Sequence, residues 1–122
     1  MSNELVQLAE WTFLREVKAP KDIDDMLVDG EAVVCCFKTV RDVAVFTNKR
    51  LIVRDTQGVT GIKKETYSLP YKSINMYTTE NAGIADINTE IELWTRAGRF
   101  KLKLKPGADV KKIDRIIATY IL

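Results

Sequence analysis

The sequence predicts a mainly β protein, an antiparallel barrel or orthogonal sandwich of seven strands capped by a C-terminal α-helix. Two patterns point to this class. Short segments rich in β-branched and aromatic residues follow one another between residues 31 and 105, and Gly, Pro, Asn and Asp separate them. Residues 108–121 then carry apolar side chains at helical spacing, so the chain closes with an amphipathic helix that Asp109 begins.

The middle of the chain contains the most distinct β-hairpin signal. The apolar stretch VAVF at residues 43–46 is followed by TNKR and then by LIV, the order expected of strand, turn and strand. Because Asn tolerates a positive φ, we expect Asn48 to be the pivot of this turn. The basic pair that follows, Lys49 and Arg50, is expected to lie in water.

The other strands are bounded by similar turn signals. We expect strands at residues 32–38, 42–47, 51–55, 64–69, 73–79, 90–94 and 99–105. A flexible connection at residues 57–61 and a loop at residues 80–88 interrupt them. In the fifth strand, Ile74 and Met76 are expected to point inward.

The last two strands can also be aligned from the sequence. A two-residue turn at Ala97 and Gly98 pairs Leu93 with Leu102 and keeps the apolar residues on one face. The same alignment gives the pairs Ile91–Leu104, Trp94–Lys101, Glu92–Lys103 and Glu90–Lys105.

The N-terminal part is predicted to be helical. Leu5, Leu8 and Trp11 lie on one stripe of a helix over residues 4–14, and a second short helix covers residues 22–27 after Pro20. The whole chain is therefore a single domain with a helical leader at residues 1–30, a barrel at 31–105 and a capping helix at 108–121.

Composition limits the functions that are open to the chain. It has 122 residues, a net charge of +2, no His and no apolar run long enough to span a membrane, so we expect a cytoplasmic protein. Residues 1–37 hold eight acidic and three basic residues, net −5, and the remainder holds nine acidic and 16 basic residues, net +7.

The only two Cys, Cys35 and Cys36, are adjacent and are expected to point to opposite faces of a strand. We therefore expect no metal, no cofactor and no enzymatic activity.

Five short strings resemble the bacterial pleckstrin-homology (PH) family. They are VDGE at residues 28–31, FTNKRLI at 46–52, SLPYKSI at 68–74, ENAG at 80–83 and EIELW at 90–94. The likeness covers residues 26–122 and leaves the leader outside. It implies seven strands with a C-terminal helix, a non-enzymatic role, and symmetric homo-oligomers that include rings.

In eukaryotic proteins of this fold, basic residues around the first hairpin loop hold lipid phosphates. The resemblance places Lys38 and Arg41 at that loop. Asp42 follows, however, and the second strand has no Arg. The match to the lipid pocket is therefore partial.

Two further groups are candidates for binding. Arg99, Lys101, Lys103 and Lys105 form a basic row on the last strand, which suits an anionic lipid surface unless Glu90 and Glu92 neutralise it. Trp94 is expected on the outer face, where a neighbouring subunit or the N-terminal helix would cover it.

These observations predict a PH-like binding module that associates with itself into a homo-oligomeric scaffold of uncharacterised physiological role. The alternative is peripheral binding to anionic membrane lipids through a basic barrel face. A third hypothesis is an adaptor for an unidentified peptide that lies along an open sheet edge; the protein partner of the scaffold is likewise unidentified. We expect no nucleic-acid binding, because the aromatic residues are not interleaved with the basic ones.

Overall fold

The computed structural model describes residues 7–57, 63–80 and 89–122. Two 3₁₀ helices cover Lys21–Met26 and Tyr71–Ser73. The strands and the helix are β1 (Gln7–Val17), β2 (Val33–Thr39), β3 (Val43–Thr47), β4 (Arg50–Gln57), β5 (Lys63–Pro70), β6 (Met76–Glu80), β7 (Thr89–Trp94), β8 (Arg99–Gly107) and α1 (Val110–Ile121). The predicted connection at residues 58–61 and loop at 81–88 lie outside the described residues.

These strands form a sheet in the order β5-β4-β3-β2-β1-β8-β7-β6, which curls into a half-barrel. Its neighbouring strands are antiparallel except for β1 and β8, which are parallel. The predicted mainly β class with a C-terminal helix is confirmed, but the described part of the chain contains eight strands and not seven. No helix in that part is long and apolar enough to cross a membrane.

The additional strand is β1, and the predicted helix at residues 4–14 is wrong for the residues described. Ala9, Trp11 and Phe13 alternate toward the core, whereas Glu10 and Thr12 lie on the other face. This period of two was present in the sequence beside a helical stripe. Strand formation prevails because β1 pairs with β2 on one side and with β8 on the other.

The main core lies between the inner face of the sheet and α1. Phe13, Phe37 and Phe46 pack with ring centroids 5.7 to 6.1 Å apart. From α1, Ile113 and Ile117 are completely buried in the same cluster. The predicted apolar stripe of the helix is thus confirmed, and the Asp109 side chain caps it by accepting a hydrogen bond from the Lys111 amide.

A second, smaller core lies on the outer face of β2, β3 and β4. Ile23 of the first 3₁₀ helix is completely buried there against Cys36, Val45 and Ile52. Every residue of β3 is consequently buried. The predicted short helix after Pro20 exists as this 3₁₀ helix, and it covers the sheet.

The β7–β8 pairing corrects the predicted register by two residues. Leu93 lies opposite Phe100, and Ile91 lies opposite Leu102. The turn is closed one residue earlier than expected, since Thr95 and Gly98 exchange backbone hydrogen bonds. A shift of two leaves each side chain on its predicted face, because strand side chains alternate with a period of two.

The fifth predicted strand corresponds to β6, and the prediction that Ile74 and Met76 point inward is correct for Ile74 only. Ile74 is buried, whereas Met76 is 51% exposed on the outer face. The strand begins only at Met76, after the 3₁₀ turn Tyr71–Ser73, and Tyr77 is the residue that packs against the core. The turn changes the alternation that the sequence suggested.

Candidate functional site

A buried ion pair joins the segment before β2 to the β3–β4 hairpin. Arg50 donates from Nε to Oε2 of Glu31 at 2.9 Å and from Nη2 to Oε1 at 3.1 Å. The Glu31 side chain has no exposed surface, and the Arg50 side chain is 20% exposed. The pair is therefore bidentate and largely withdrawn from water. This corrects the prediction that Arg50 lies in water.

Further hydrogen bonds fix both partners. The Thr47 hydroxyl donates to Glu31 at 2.7 Å, and the Val28 amide donates to it at 3.1 Å. Arg50 also donates to the Met26 carbonyl and to the Ser68 hydroxyl. Burial by itself would raise the pKa of Glu31, but these bonds outweigh it and hold the pKa at about 2. The carboxylate is charged at neutral pH and is fully paired.

The hairpin turn is held from both sides. The Asn48 side chain donates to the Gly30 carbonyl and accepts from the Ala32 amide. Tyr71 donates its hydroxyl to the Thr47 carbonyl at 2.6 Å. Asn48 lies in the two-residue turn between β3 and β4, as predicted, but among the described residues only glycines have a positive φ. Asn48 acts through its side chain instead.

These contacts bring together three of the strings on which the family resemblance rests, at residues 28–31, 46–52 and 68–74. Their residues lie far apart in the chain and share one hydrogen-bonded cluster. Its main role is structural, because its charges and most of its donors are used within the chain.

A cleft of about 430 Å³ lies beside this cluster, and we call it the Tyr120 cleft. Nine of the described residues line it: Val28, Glu31, Asn48, Lys49, Arg50, Pro70, Tyr71, Lys72 and Tyr120. The Tyr120 ring, near the end of α1, stacks on Tyr71 with centroids 5.6 Å apart. A second cleft of about 500 Å³ shares Pro70 and Lys72 with it and extends to Arg96 and Phe100.

The predicted basic row of β8 lies on the outer face and is matched by carboxylates. Lys101 lies 3.7 Å from Glu90 and 3.8 Å from Glu92. Among the described residues the row also forms the ion pairs Arg99–Glu92 at 3.7 Å and Lys103–Glu10 at 3.4 Å. Lys105 is exposed near the end of β8. Glu10 of β1 could not be foreseen as a partner, since its segment was predicted to be a helix.

Lys38 and Arg41 of the predicted lipid loop lie at the end of β2 and in the turn after it, and Arg41 lines a small cleft of about 170 Å³ together with Glu10 and Thr12. Arg41 forms an ion pair with the buried Asp55 at 3.3 Å. Asp42, next to it, binds Arg54 at 2.9 Å, and this hydrogen bond raises the pKa of Arg54 further. Arg54 also contacts Asp22 and so ties the first 3₁₀ helix to the sheet. Two basic residues of this region, Arg41 and Arg54, are thus engaged in ion pairs with its acidic residues.

Trp94 lies on the outer face, as predicted, and is half-buried. The guanidinium carbon of Arg99 is 5.6 Å from its ring centroid, and Met76 lies opposite it in the β6–β7 pairing. We call Met76 and Trp94 the Met76–Trp94 patch. Three buried polar atoms near it have no hydrogen-bond partner in the described part of the chain: Glu92 Oε2, Trp94 Nε1 and Arg99 Nε.

The two Cys are buried in different cores, Cys35 under α1 and Cys36 under the first 3₁₀ helix. Burial raises the pKa of each thiol to about 11. Both are neutral at physiological pH and unreactive as nucleophiles.

The curled sheet with a helix across its inner face defines a PH-like protein. The family model of the bacterial PH domain matches residues 4–121, and the chain belongs to this family. The family match includes β1, whereas the sequence resemblance had started at residue 26.

Relatives agree with this assignment. Uncharacterized protein YjqA of Bacillus subtilis (strain 168) is 47% identical over 101 residues, covering 80% of this chain and 81% of the relative. Uncharacterized protein YozO of the same organism is 31% identical over 101 residues, covering 83% and 88%.

Two crystal structures show the same fold. A DUF1696 family protein with a pleckstrin-homology domain from Shewanella loihica PV-4 has a TM-score of 0.82 and 37% identity, covering 88% of this chain and 97% of that chain. A pleckstrin homology domain from Shewanella amazonensis SB2B has a TM-score of 0.68 and 42% identity, covering 83% of each chain.

Proposed function

We propose that this bacterial PH domain is a non-catalytic binding module of the cytoplasm that associates with copies of itself into a homo-oligomeric scaffold. The observation that carries the proposal is the Met76–Trp94 patch, which lies beside the edge of the sheet. Assembly would place a second copy against β6 and β7, and any further protein partner would bind to the assembled form.

The two edges of the sheet differ in how they are protected. Edge strands with unpaired backbone groups are commonly shielded by Lys or Pro. β5 contains Lys63, Lys64 and Pro70, whereas β6 has the sequence MYTTE and contains neither residue type. Within the described part of the chain, no strand pairs with the outer side of β6. For the residues that the structure describes, the outer backbone groups of β6 have no strand partner, which favours pairing with a second molecule.

The side chains beside β6 favour the same interpretation. Met76 exposes 51% of its surface at the edge, and Trp94 lies next to it. Met and Trp are enriched in protein interfaces, whereas a solvated edge favours charged residues.

The alternative, binding to anionic lipids, has weaker support. The positive charge of Arg99, Lys101 and Lys103 is opposed by Glu10, Glu90 and Glu92 on the same face. Attraction to an anionic surface depends on unopposed charge within a Debye length. The outer face around the basic row of β8, which was the candidate lipid-binding face, is close to neutral in charge.

Sedimentation velocity tests the scaffold proposal. We expect the intact chain at micromolar concentration to sediment as a discrete multimer of its 13.9 kDa subunit. Met76→Glu is expected to shift it to the monomer, because assembly would bury the new charge without a partner.

Val40→Glu is the matched control, since Val40 is 68% exposed in the β2–β3 turn and away from the patch. It should leave the multimer intact. An intact chain that sediments as a monomer at every concentration would refute the proposal, and a Met76→Glu variant that assembles normally would remove the patch from it.

A further inference from the structure

The Tyr120 cleft has the walls of a small-molecule site. Val28 and Tyr120 are two of the exposed large hydrophobic residues of the described chain, at 58% and 39%, and both line it. Pro70 adds a third apolar surface. A volume of about 430 Å³ lies within the range of roughly 300–1,000 Å³ that is typical of ligand pockets.

The aromatic surface of the cleft is fixed in position. Tyr71 supports one side of the Tyr120 ring with an interplanar angle of 13°. The Tyr71 hydroxyl is itself bound to the Thr47 carbonyl, and its amide donates to the Lys49 carbonyl. The part of the Tyr120 ring that Tyr71 leaves uncovered is therefore a preorganised platform for a planar group.

The charge of the cleft is positive. Glu31 and Arg50, which also line it, neutralise each other. Lys49 and Lys72 are exposed at its rim, and within the described part of the chain neither forms an ion pair. Two ammonium groups thus border the apolar surface, and the one carboxylate among the described residues that line the cleft, Glu31, is neutralised by Arg50.

From this combination we propose that the Tyr120 cleft binds a small aromatic anion, with the ring on Tyr120 and the charged group at Lys49 and Lys72. Apolar contact with Val28 and Pro70 would hold the ring, and the lysines would select for the charge. The proposal goes beyond the scaffold function and does not depend on assembly, because the cleft and the Met76–Trp94 patch share no residue.

Isothermal titration of the intact protein with 2-naphthalenesulfonate tests this site. We expect saturable binding with one site per chain, and binding at least about tenfold weaker for the neutral 2-naphthalenesulfonamide and for inorganic sulfate. Equal affinity for the neutral compound, equal affinity for sulfate, or the absence of saturable binding would each overturn the proposal.

Variants assign the binding to the cleft. Lys49→Met combined with Lys72→Met is expected to weaken binding about tenfold, and Tyr120→Ala by a similar factor. Lys111→Met removes an exposed Lys in the first turn of α1, at the opposite end of the helix from Tyr120, and should bind as the parent does. The lysine pair is exposed, so that variant still folds and decides the outcome if Tyr120→Ala does not fold. Unchanged binding by the lysine pair would refute the site.

The same titration separates this proposal from the scaffold proposal. Met76→Glu is expected to bind 2-naphthalenesulfonate as the intact chain does, whatever its mass in solution. Loss of binding in Met76→Glu would show that the cleft needs assembly and would contradict the independence of the two sites.

Discussion

A chain that lacks residues 1–25 is expected not to fold. β1 lies between β2 and β8, so its removal leaves two separate groups of strands with unpaired inner edges. It also removes Trp11 and Phe13 from the core, and losing a buried aromatic side chain costs about 3–5 kcal/mol each time. The two losses together are comparable to the whole free energy of unfolding of a domain, about 5–15 kcal/mol.

Thermal unfolding followed by circular dichroism would check this expectation. The truncated chain should show no cooperative transition, whereas a chain that begins at Gln7 and keeps β1 whole should retain one. A cooperative transition near that of the intact protein in the truncated chain would mean that β1 is dispensable. The fold described above would then be wrong at its centre.

Replacement of Arg50 by Met is expected to destabilise the protein by about 3 kcal/mol or more, because it leaves Glu31 charged, buried and without its main partner. The double variant Glu31→Met/Arg50→Met removes both charges and should be more stable than Arg50→Met alone. Lys49→Met, at the neighbouring exposed position, is the matched control and should change stability by less than about 0.5 kcal/mol. Denaturant unfolding measures all three, and additive losses in the double variant would contradict the coupling.

The same pair gives a pH dependence with a defined sign. The pKa of Glu31 falls from an ordinary 4.5 to about 2 in the folded protein. Its stabilising contribution is therefore fully present above pH 4.5 and is lost as the pH falls toward 2. Glu31→Gln should lose less stability than the parent over this interval, since the amide does not titrate there. A parallel decline in both proteins would contradict the role assigned to the ion pair.

The sequence predicted which residues of β7 and β8 face the core, but it did not predict correctly which residues pair across the two strands. Ile91, Leu93, Leu102 and Leu104 are all buried as expected, because alternation defines the face of a strand. Their partners were wrong by two residues, since alternation repeats after two and so allows both alignments. The deciding contact, the Thr95–Gly98 backbone pair, has no signature in the apolar pattern.

The error at β1 has a related cause. The segment from Leu5 to Phe13 carries both a helical stripe and a strand alternation, and local pattern alone does not rank them. The ranking comes from β2 and β8, whose edges need a strand between them. That requirement is tertiary and becomes visible only when the sheet order is known.

The candidate site was accessible to sequence reasoning only in part. The strings that contain Glu31, Arg50 and Tyr71 were recognised as family features, but nothing in their spacing showed that they share one cluster. Glu31 and Arg50 are 19 residues apart, and charged residues at turns are usually solvated. Burial of the carboxylate, which makes the pair important, depends on the packing of residues 26–31 against β4.

The most direct test of the scaffold account is amide hydrogen exchange of β6 as a function of protein concentration, read by mass spectrometry. If a second copy covers this edge, those amides of Met76–Glu80 that point away from β7 exchange slowly in concentrated solution and faster after dilution. The Arg41 amide, bonded to the Thr39 hydroxyl within the same turn, is the internal reference and should not change. Exchange of β6 that is fast and independent of concentration would contradict assembly through this edge.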